Sequence, residues 1–438
     1  MKCTYACGSS DHRLARRHFL GRLGAGFGLA GSLGLAAGAG GFASLVQPAA
    51  AASLASAQKR VLVLFLAGGS SQLESWDPKP RTDTGGPFRA IPTSVPGVHL
   101  SELLPRTAQQ MHLMSIVRSV NTKENDHGKG QYMMETGRAQ MGAGEYPHLG
   151  AVMAKALSAD DSPLPGHVHV SPGGGGSRGN DAAYLGPKFG RIVVGAAGGG
   201  VTNSQRSDAI SADQDVRRQS MRRLVNDHFV TRRRTAEMDA YTQSYEQALQ
   251  LMERRDVFDV GREPTSFLER YGDHALGRQC LLARRLLEHG VTFVQVAHSN
   301  YDTHNENFDF HLEQMAEFDQ AYSALLVDLH ERGMLESTLV VVMSEFGRTP
   351  HINQYYGRDH WGQAWSVALA GSGIQPGAVI GKTNANGTEV VDREVDHRHL
   401  FHTYLRAVGL DSQGEFHVEG RSMPMADPAA GPIEELLA

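Results

Sequence analysis

Cysteine is nearly absent from this chain: of its three, Cys3 and Cys7 stand at the extreme N-terminus, and only Cys280 lies in the body. Once the N-terminus is removed no internal disulfide can form, so stability has to come from a buried core. Cys280 sits among leucines at helical spacing in GRQCLLARRLLEHG and reads as a small core hydrophobe. An excess of one charge is also missing. The net of -5 over 438 residues gives no global attraction to nucleic acid or to an anionic membrane. The flexible Gly-rich run Ser171–Asn180, SPGGGGSRGN, lacks the Gly-Lys-Ser/Thr ending of a phosphate cradle, which excludes a nucleotide-binding P-loop there. No repeat of about 20 to 50 residues and no heptad array is evident, so solenoids and coiled coils are excluded. Gly and Pro are both missing between Ser211 and Val260, where apolar residues recur at helical intervals among charges. That predicts a helical insertion over about 211–260, and its arginines (Arg217, Arg218, Arg222, Arg223 and Arg232 to Arg234) read as a solvated face.

What is plentiful points to a large globular protein with chemistry on its loops. The chain is 41% hydrophobic and carries 50 glycines and 21 histidines. Near the N-terminus Arg16-Arg17-His18-Phe19-Leu20 precedes a mildly apolar Gly- and Ala-rich stretch to about Val46, and Ala55-Ser56-Ala57 offers a small-residue cleavage site. The expectation is a twin-arginine export signal over 1–57, then a single domain over 58–438 that is periplasmic or extracellular. The weak hydrophobicity of the signal predicts no stable membrane span after cleavage.

Apolar runs at Arg60–Ala67, Leu113–Arg118, His167–Ser171, Arg191–Val194, Val291–Ala297, Leu339–Met343 and Ser366–Ala370 read as strands. Helical patterns at His148–Leu157, His274–His289, Phe308–Arg332 and His397–Val408 fall between several of them. The fold class expected is α/β: a doubly wound, mostly parallel sheet with helices on both faces. In such sheets ligands bind beyond the carboxyl ends of the strands, which directs attention to the polar clusters there.

Four clusters qualify. After the first strand come Gly68-Gly69-Ser70-Ser71, with Glu74 and Asp77 close behind; Ser70 or Ser71 offers a hydroxyl. The segment Asp126-His127-Gly128-Lys129 places an imidazole that could act as ligand or general acid in a polar loop. Asp302 and His304 leave the strand Val291–Ala297 in close succession, a carboxylate and an imidazole of the kind that zinc, manganese or magnesium accepts. Beyond Leu339–Met343, Glu345 offers an oxygen ligand or base, Arg348 a bidentate grip on an oxyanion, and His360 a nitrogen ligand. Asp302, His304, Glu345 and His360 are thus the predicted ligands of a divalent metal (zinc, manganese, calcium or magnesium). Arg348 is the predicted oxyanion holder, with Ser70 or His127 as catalytic partner.

The segments FLAGGSSQLESWDPKP, VRSVN with DHGKGQYMMETGR, YDTHNENF, LLVDLHERGMLESTLVVVMSEFGRTP and GRDHWGQAWSVALAGSGI together resemble an exported family called domain of unknown function 1501. The likeness runs from about Arg60 to Leu410. It implies the alkaline-phosphatase-like and sulfatase-like superfamily, whose members hydrolyse phosphate or sulfate esters at metal sites with a Ser, Thr or modified Cys nucleophile. Within that pattern Phe346 stands where a histidine ligand is usual, and Asp126 to Lys129 hold no hydroxyl or thiol. The implied function is an exported, metal-assisted sulfatase-like or phosphatase-like hydrolase of a small-molecule or polymer ester. The alternative is a catalytically inactive periplasmic binding or assembly protein on the same fold.

Overall fold

A computed structural model describes residues 58–140, 145–159, 162, 164–171, 181–195, 206–230, 236–418 and 421–438. The expected export signal over 1–57 lies outside these residues, as do Arg232 to Arg234 and all of the Gly-rich run except Ser171. The core is an eight-stranded sheet: β1 (Arg60–Leu66), β2 (Met114–Val120), β3 (His167–Ser171), β4 (Ile192–Gly195), β5 (Phe293–His298), β6 (Thr338–Met343), β7 (Trp365–Gly371) and β8 (Val379–Ile380). Its order is β8-β2-β7-β6-β1-β5-β3-β4. β1 pairs in parallel with both β5 and β6, and β7 alone runs antiparallel to its neighbours β6 and β2. The fold is the α/β, mostly parallel arrangement that the apolar runs predicted.

Each strand feeds two cores, because successive side chains point to opposite faces. Leu62, Leu64 and Leu66 of β1 join one buried cluster, and Val61, Val63 and Phe65 the other. The first face is covered by α5 (Ala275–Glu288) and α6 (Asn307–Glu331), through Leu281, Phe318 and Leu325 among others. The second is covered by α2 (Leu149–Leu157) and α7 (His397–Ala407), through Val152, Leu400 and Leu405. Cys280 lies fully buried in the first cluster, and burial pushes its thiol well above the ordinary range, in keeping with a packing role. The segment expected to be helical contains α3 (Ala212–Val230) and α4 (Ala236–Glu253). Arg222 and Arg223 of α3 pair with Glu246 of α4, so two of the insertion's arginines face a carboxylate of the same insertion.

The sequence reading placed His127 in a polar loop, and here the structure differs. His127 opens a helix, α1 (His127–Thr136), capped by the Asp126 side chain, which accepts from the Lys129 N–H at 2.9 Å. Gly128 and Gly130 lower the helical signal of DHGKGQ, but Gly130 is required by packing: a Cβ there would come within 2.8 Å of the Glu345 carbonyl.

The far end of α1 holds a buried carboxylate. Glu135 accepts from Gln295 Nε2 at 3.0 Å and Gln131 Nε2 at 3.1 Å, and its second oxygen lies 3.0 Å from His148 Nδ1. Burial alone would raise its pKa, but the His148 contact and the two amides outweigh it and bring it down to about 2. An unfolded glutamate titrates near 4.3. The stabilisation is therefore complete above that pH and is lost as pH falls toward about 2. Glu135→Gln is expected to cost about 3 kcal/mol in urea unfolding at pH 7 and much less at pH 3. Equal losses at the two pH values would contradict this account.

Candidate metal centre

The carboxyl edge of the sheet gathers side chains from widely separated stretches. α1 follows β2 and delivers His127; the loop after β5 delivers Asp302 and His304; the loop after β6 delivers Glu345. The antiparallel β7 starts at the edge where its parallel neighbours end, so His360, just upstream of it, arrives at the same place. His360–Trp361 forms a two-residue ribbon with Gly347–Arg348, which fixes the return of the chain.

One donor atom from each of His127, Asp302 and His360 lies within 4.8 Å of the others. His304 adjoins them, its Nε2 standing 2.9 Å from His360 Nε2 and 3.1 Å from Asp302 Oδ1. His360 Nε2 is also 3.1 Å from Asp302 Oδ1, and His127 Nε2 is 3.5 Å from Asp302 Oδ2.

The opposite nitrogen of each ring faces an oxygen. His127 Nδ1 lies 2.6 Å from Glu345 Oε1, His304 Nδ1 2.6 Å from Asp359 Oδ1, and His360 Nδ1 2.7 Å from the Asn125 carbonyl. A carbonyl or carboxylate accepts, so each Nδ1 donates outward and each ring turns its Nε2 inward. The Nε2 atoms of His304 and His360, 2.9 Å apart beside the Asp302 carboxylate, call for a proton or a metal cation between them. His127 Nε2 is buried without a hydrogen-bond partner, which points the same way. Protons supply part of the positive charge in this structure. Burial would lower the His127 pKa, but Asp302 and Glu345 outweigh it and push it up to about 9. Asp302 first, then Asp359 against the effect of burial, raise His304. Three imidazole nitrogens and a carboxylate, each ring oriented by an outer oxygen, fit a divalent metal of the zinc type.

Arg348 and Glu345 occupy supporting positions. Arg348 is 0% exposed, and its guanidinium donates from Nε to the Gly69 carbonyl at 2.8 Å and from Nη1 to the Arg358 carbonyl at 3.0 Å. Its Nη2 donates to the Gly68 carbonyl and, at 2.6 Å, to Asp302 Oδ1. The group predicted to grip substrate is thus enclosed and employed in orienting Asp302. Glu345, predicted as a ligand, turns to His127, to the Gly68 N–H at 2.8 Å and to the Ser344 hydroxyl at 3.0 Å. Ser70 is buried beside them with its hydroxyl unpartnered, and its N–H donates to Ser344 Oγ at 3.2 Å.

Sequence reasoning missed two contributors, the Asn125 carbonyl and Phe346 as a packing element, and gave Asp359 no role of its own. The Phe346 ring lies 4.8 Å from that of His127 and 4.5 Å from that of His360, centroid to centroid, and so wedges the two imidazoles in place. Asp359, next to His360 in the sequence, was the signal available. The φ angles at Lys123 (57°), Asn300 (83°), Glu306 (47°) and Tyr356 (57°) are positive at non-glycine residues, and all four flank these segments. Strained backbone of this kind concentrates at functional sites.

The chain is similar to several solved structures. The lipoteichoic acid synthase LtaP from Listeria monocytogenes shares 8% identity over 84% of this chain and 75% of that one, with a TM-score of 0.40. The PsFucS1 sulfatase from Pseudoalteromonas sp. shares 14% identity over 83% and 72%, with a TM-score of 0.39. A protein in the alkaline phosphatase superfamily from Vibrio parahaemolyticus shares 11% identity over 81% and 67%, with a TM-score of 0.34. No curated protein matches the chain. Residues 58–437 match the family described as "Protein of unknown function (DUF1501)", and the chain belongs to that family.

Proposed function

We propose that the protein is a metal-dependent hydrolase of sulfate or phosphate esters, with His127, Asp302, His304 and His360 as the metal ligands. The observation that carries this reading is the convergence of three imidazole Nε2 atoms on the Asp302 carboxylate, with every Nδ1 facing an outer oxygen. A bound divalent cation would polarise the ester oxygen and lower the pKa of water at the site. Glu345, Asp359 and the Asn125 carbonyl hold the three rings in the tautomer that presents Nε2. Arg348 aims Asp302 by donating to its Oδ1, and the buried Phe346 ring packs against the His127 and His360 rings.

Ser70 remains the candidate hydroxyl, since its Oγ is buried without a partner on the turn that Glu345 and Arg348 pin. Export through Arg16-Arg17 belongs to the same proposal; among the described residues no helix is long and apolar enough to cross a membrane.

The test is a panel of aryl sulfates and aryl phosphates assayed with added zinc, manganese, calcium and magnesium. Turnover with at least one pairing is expected. No turnover in any pairing, together with absent metal in the purified protein, would favour the inactive binder on the same fold.

Glu345 gives a finer check. Glu345→Gln keeps the side-chain shape but weakens the grip on His127 Nδ1, and loss of such an outer partner lowers metal affinity by about 10- to 100-fold. Competition against a chromogenic chelator measures this directly. An unchanged affinity would remove Glu345 from the centre.

A further inference from the structure

The chain between the Gly347–Arg348 ribbon strand and Arg358 makes an excursion that packs on the segment bearing His304, and none of the assigned roles uses it. Its tip carries Tyr355, 62% exposed, and Tyr356, 73% exposed, two large rings presented to solvent. Exposed side chains on loops usually sit on mobile backbone, but this backbone is pinned at every turn. The carbonyls of Tyr355 and Tyr356 accept from the N–H groups of Glu306 and Asn307, each at 3.0 Å. Asn353 Oδ1 accepts from the Tyr355 N–H at 2.9 Å and the Gly357 N–H at 3.0 Å, while its Nδ2 donates to the His304 carbonyl at 2.9 Å. Tyr356 forms a bridge with Asn305, the residue next to His304. A Cβ at Gly357 would lie 1.9 Å from the His304 carbonyl, so the loop rests directly on the ligand-bearing segment. Tyr356 is therefore one backbone pairing away from Asn305, the neighbour of the proposed ligand His304. Tyr356 pays for its place with a left-handed φ of 57°.

The chemistry of the rim narrows what it meets. His351 to Gly357 reads HINQYYG, with no Asp, Glu, Lys or Arg. The segment's own side chains carry no formal charge, and the carboxylates nearest to it, Glu306 and Asp359, do not favour a polyanion. The segment suits a neutral polyhydroxylated ring, whose C–H face lies on an aromatic plane and whose hydroxyls meet the exposed Gln354 amide. Rigid aromatic area of this kind contributes contact at small entropic cost.

We infer that Tyr355 and Tyr356 form the recognition rim for a sugar ring whose sulfate or phosphate ester is seated at the metal centre. This rests on the hydrolase reading above and adds the substrate class: a glycan ester. The two rings set specificity for the part of the substrate that does not react.

The experiment compares two affinities in full-length protein loaded with zinc or manganese, using titration calorimetry. Inorganic sulfate and phosphate report the centre, and a panel of sulfated and phosphorylated mono- and disaccharides reports the centre plus the rim. In the native sequence at least one sugar ester should bind at least tenfold more tightly than its inorganic anion. In Tyr355→Ala/Tyr356→Ala that ratio should fall to near one, and in Tyr355→Phe/Tyr356→Phe it should persist because the ring faces remain. Sugar esters that bind no more tightly than the free anions would overturn the rim and leave the hydrolase reading standing. An alanine variant that loses both affinities together would show that the loop only supports the centre, which also overturns the rim. Protein that binds neither anions nor sugar esters with any metal would remove both proposals.

Discussion

His127→Ala protein is expected to emerge from purification with background metal, where the native sequence retains it, and His360→Ala protein to behave the same way. Elemental analysis after dialysis against a metal-free buffer measures both. Each substitution deletes one of the donors that converge at the carboxyl edge of the sheet, leaving His304 and one other imidazole beside Asp302. Ester turnover should fall by about three orders of magnitude, because a bound cation supplies several kcal/mol of transition-state stabilisation and each 1.36 kcal/mol is a factor of ten. Folding should survive, since His127 is half-exposed at the start of α1 and the sheet does not depend on it. Full metal retention in both variants would sink the ligand assignment. His127 is the more telling of the two: as a proton donor acting beside the metal, its loss would leave the metal bound and only slow the reaction.

The second large effect concerns stability. Arg358 and Glu74 are both 0% exposed and joined by two hydrogen bonds, Nη2 to Oε1 at 2.7 Å and Nε to Oε2 at 3.1 Å. Burial would raise the Glu74 pKa, but Arg358, helped by His311, more than offsets it and holds the carboxyl below its usual value. Arg358 also donates to the Thr84 carbonyl at 2.8 Å and the Thr349 carbonyl at 3.1 Å. Glu74→Ala strands a buried guanidinium, which typically costs about 3 to 5 kcal/mol. For a protein of this size that lowers the thermal midpoint by roughly 5 °C. Because Arg358 immediately precedes Asp359 and His360, metal affinity should fall as well. Differential scanning calorimetry with and without added zinc reads both, and a midpoint within about 2 °C of the native value would refute the claim.

Much of this architecture was legible in the sequence because a strand covered on both faces must be apolar throughout. Leu339 to Met343 and Arg60 to Leu66 could hardly be anything else, and the polar residues directly after them, Glu345 and Gly68 to Ser70, had to surface at the carboxyl edge. Asp302, His304 and His360 stood out by residue type and by following or preceding strands. The division of labour among them was not legible, because it depends on which oxygen each ring faces. Glu345 could have been a ligand until the fold set His127 2.6 Å away, and Arg348 could have gripped substrate until four acceptors enclosed it. His127 was undervalued because two glycines hid a helix whose justification is close contact with the Glu345 backbone, a long-range fact no local window contains. The reversed direction of β7 was equally hidden: an apolar run does not say which way it points.

The wide separation of the donors along the chain has a kinetic consequence. Glu345 lies 218 positions from the His127 it holds, and His360 lies 58 positions from Asp302, so a short fragment holds at most the Asp302 and His304 pair and never the whole set. Contacts this distant in sequence form late, after the entropy of closing long loops has been met. A nascent or refolding chain therefore offers a free cation only scattered, weak donors until β1, β5, β6 and β7 have come into register. Metal capture should follow folding instead of templating it, so refolding from urea should proceed at the same rate in chelator as in zinc, with the cation adding its stabilisation only afterwards.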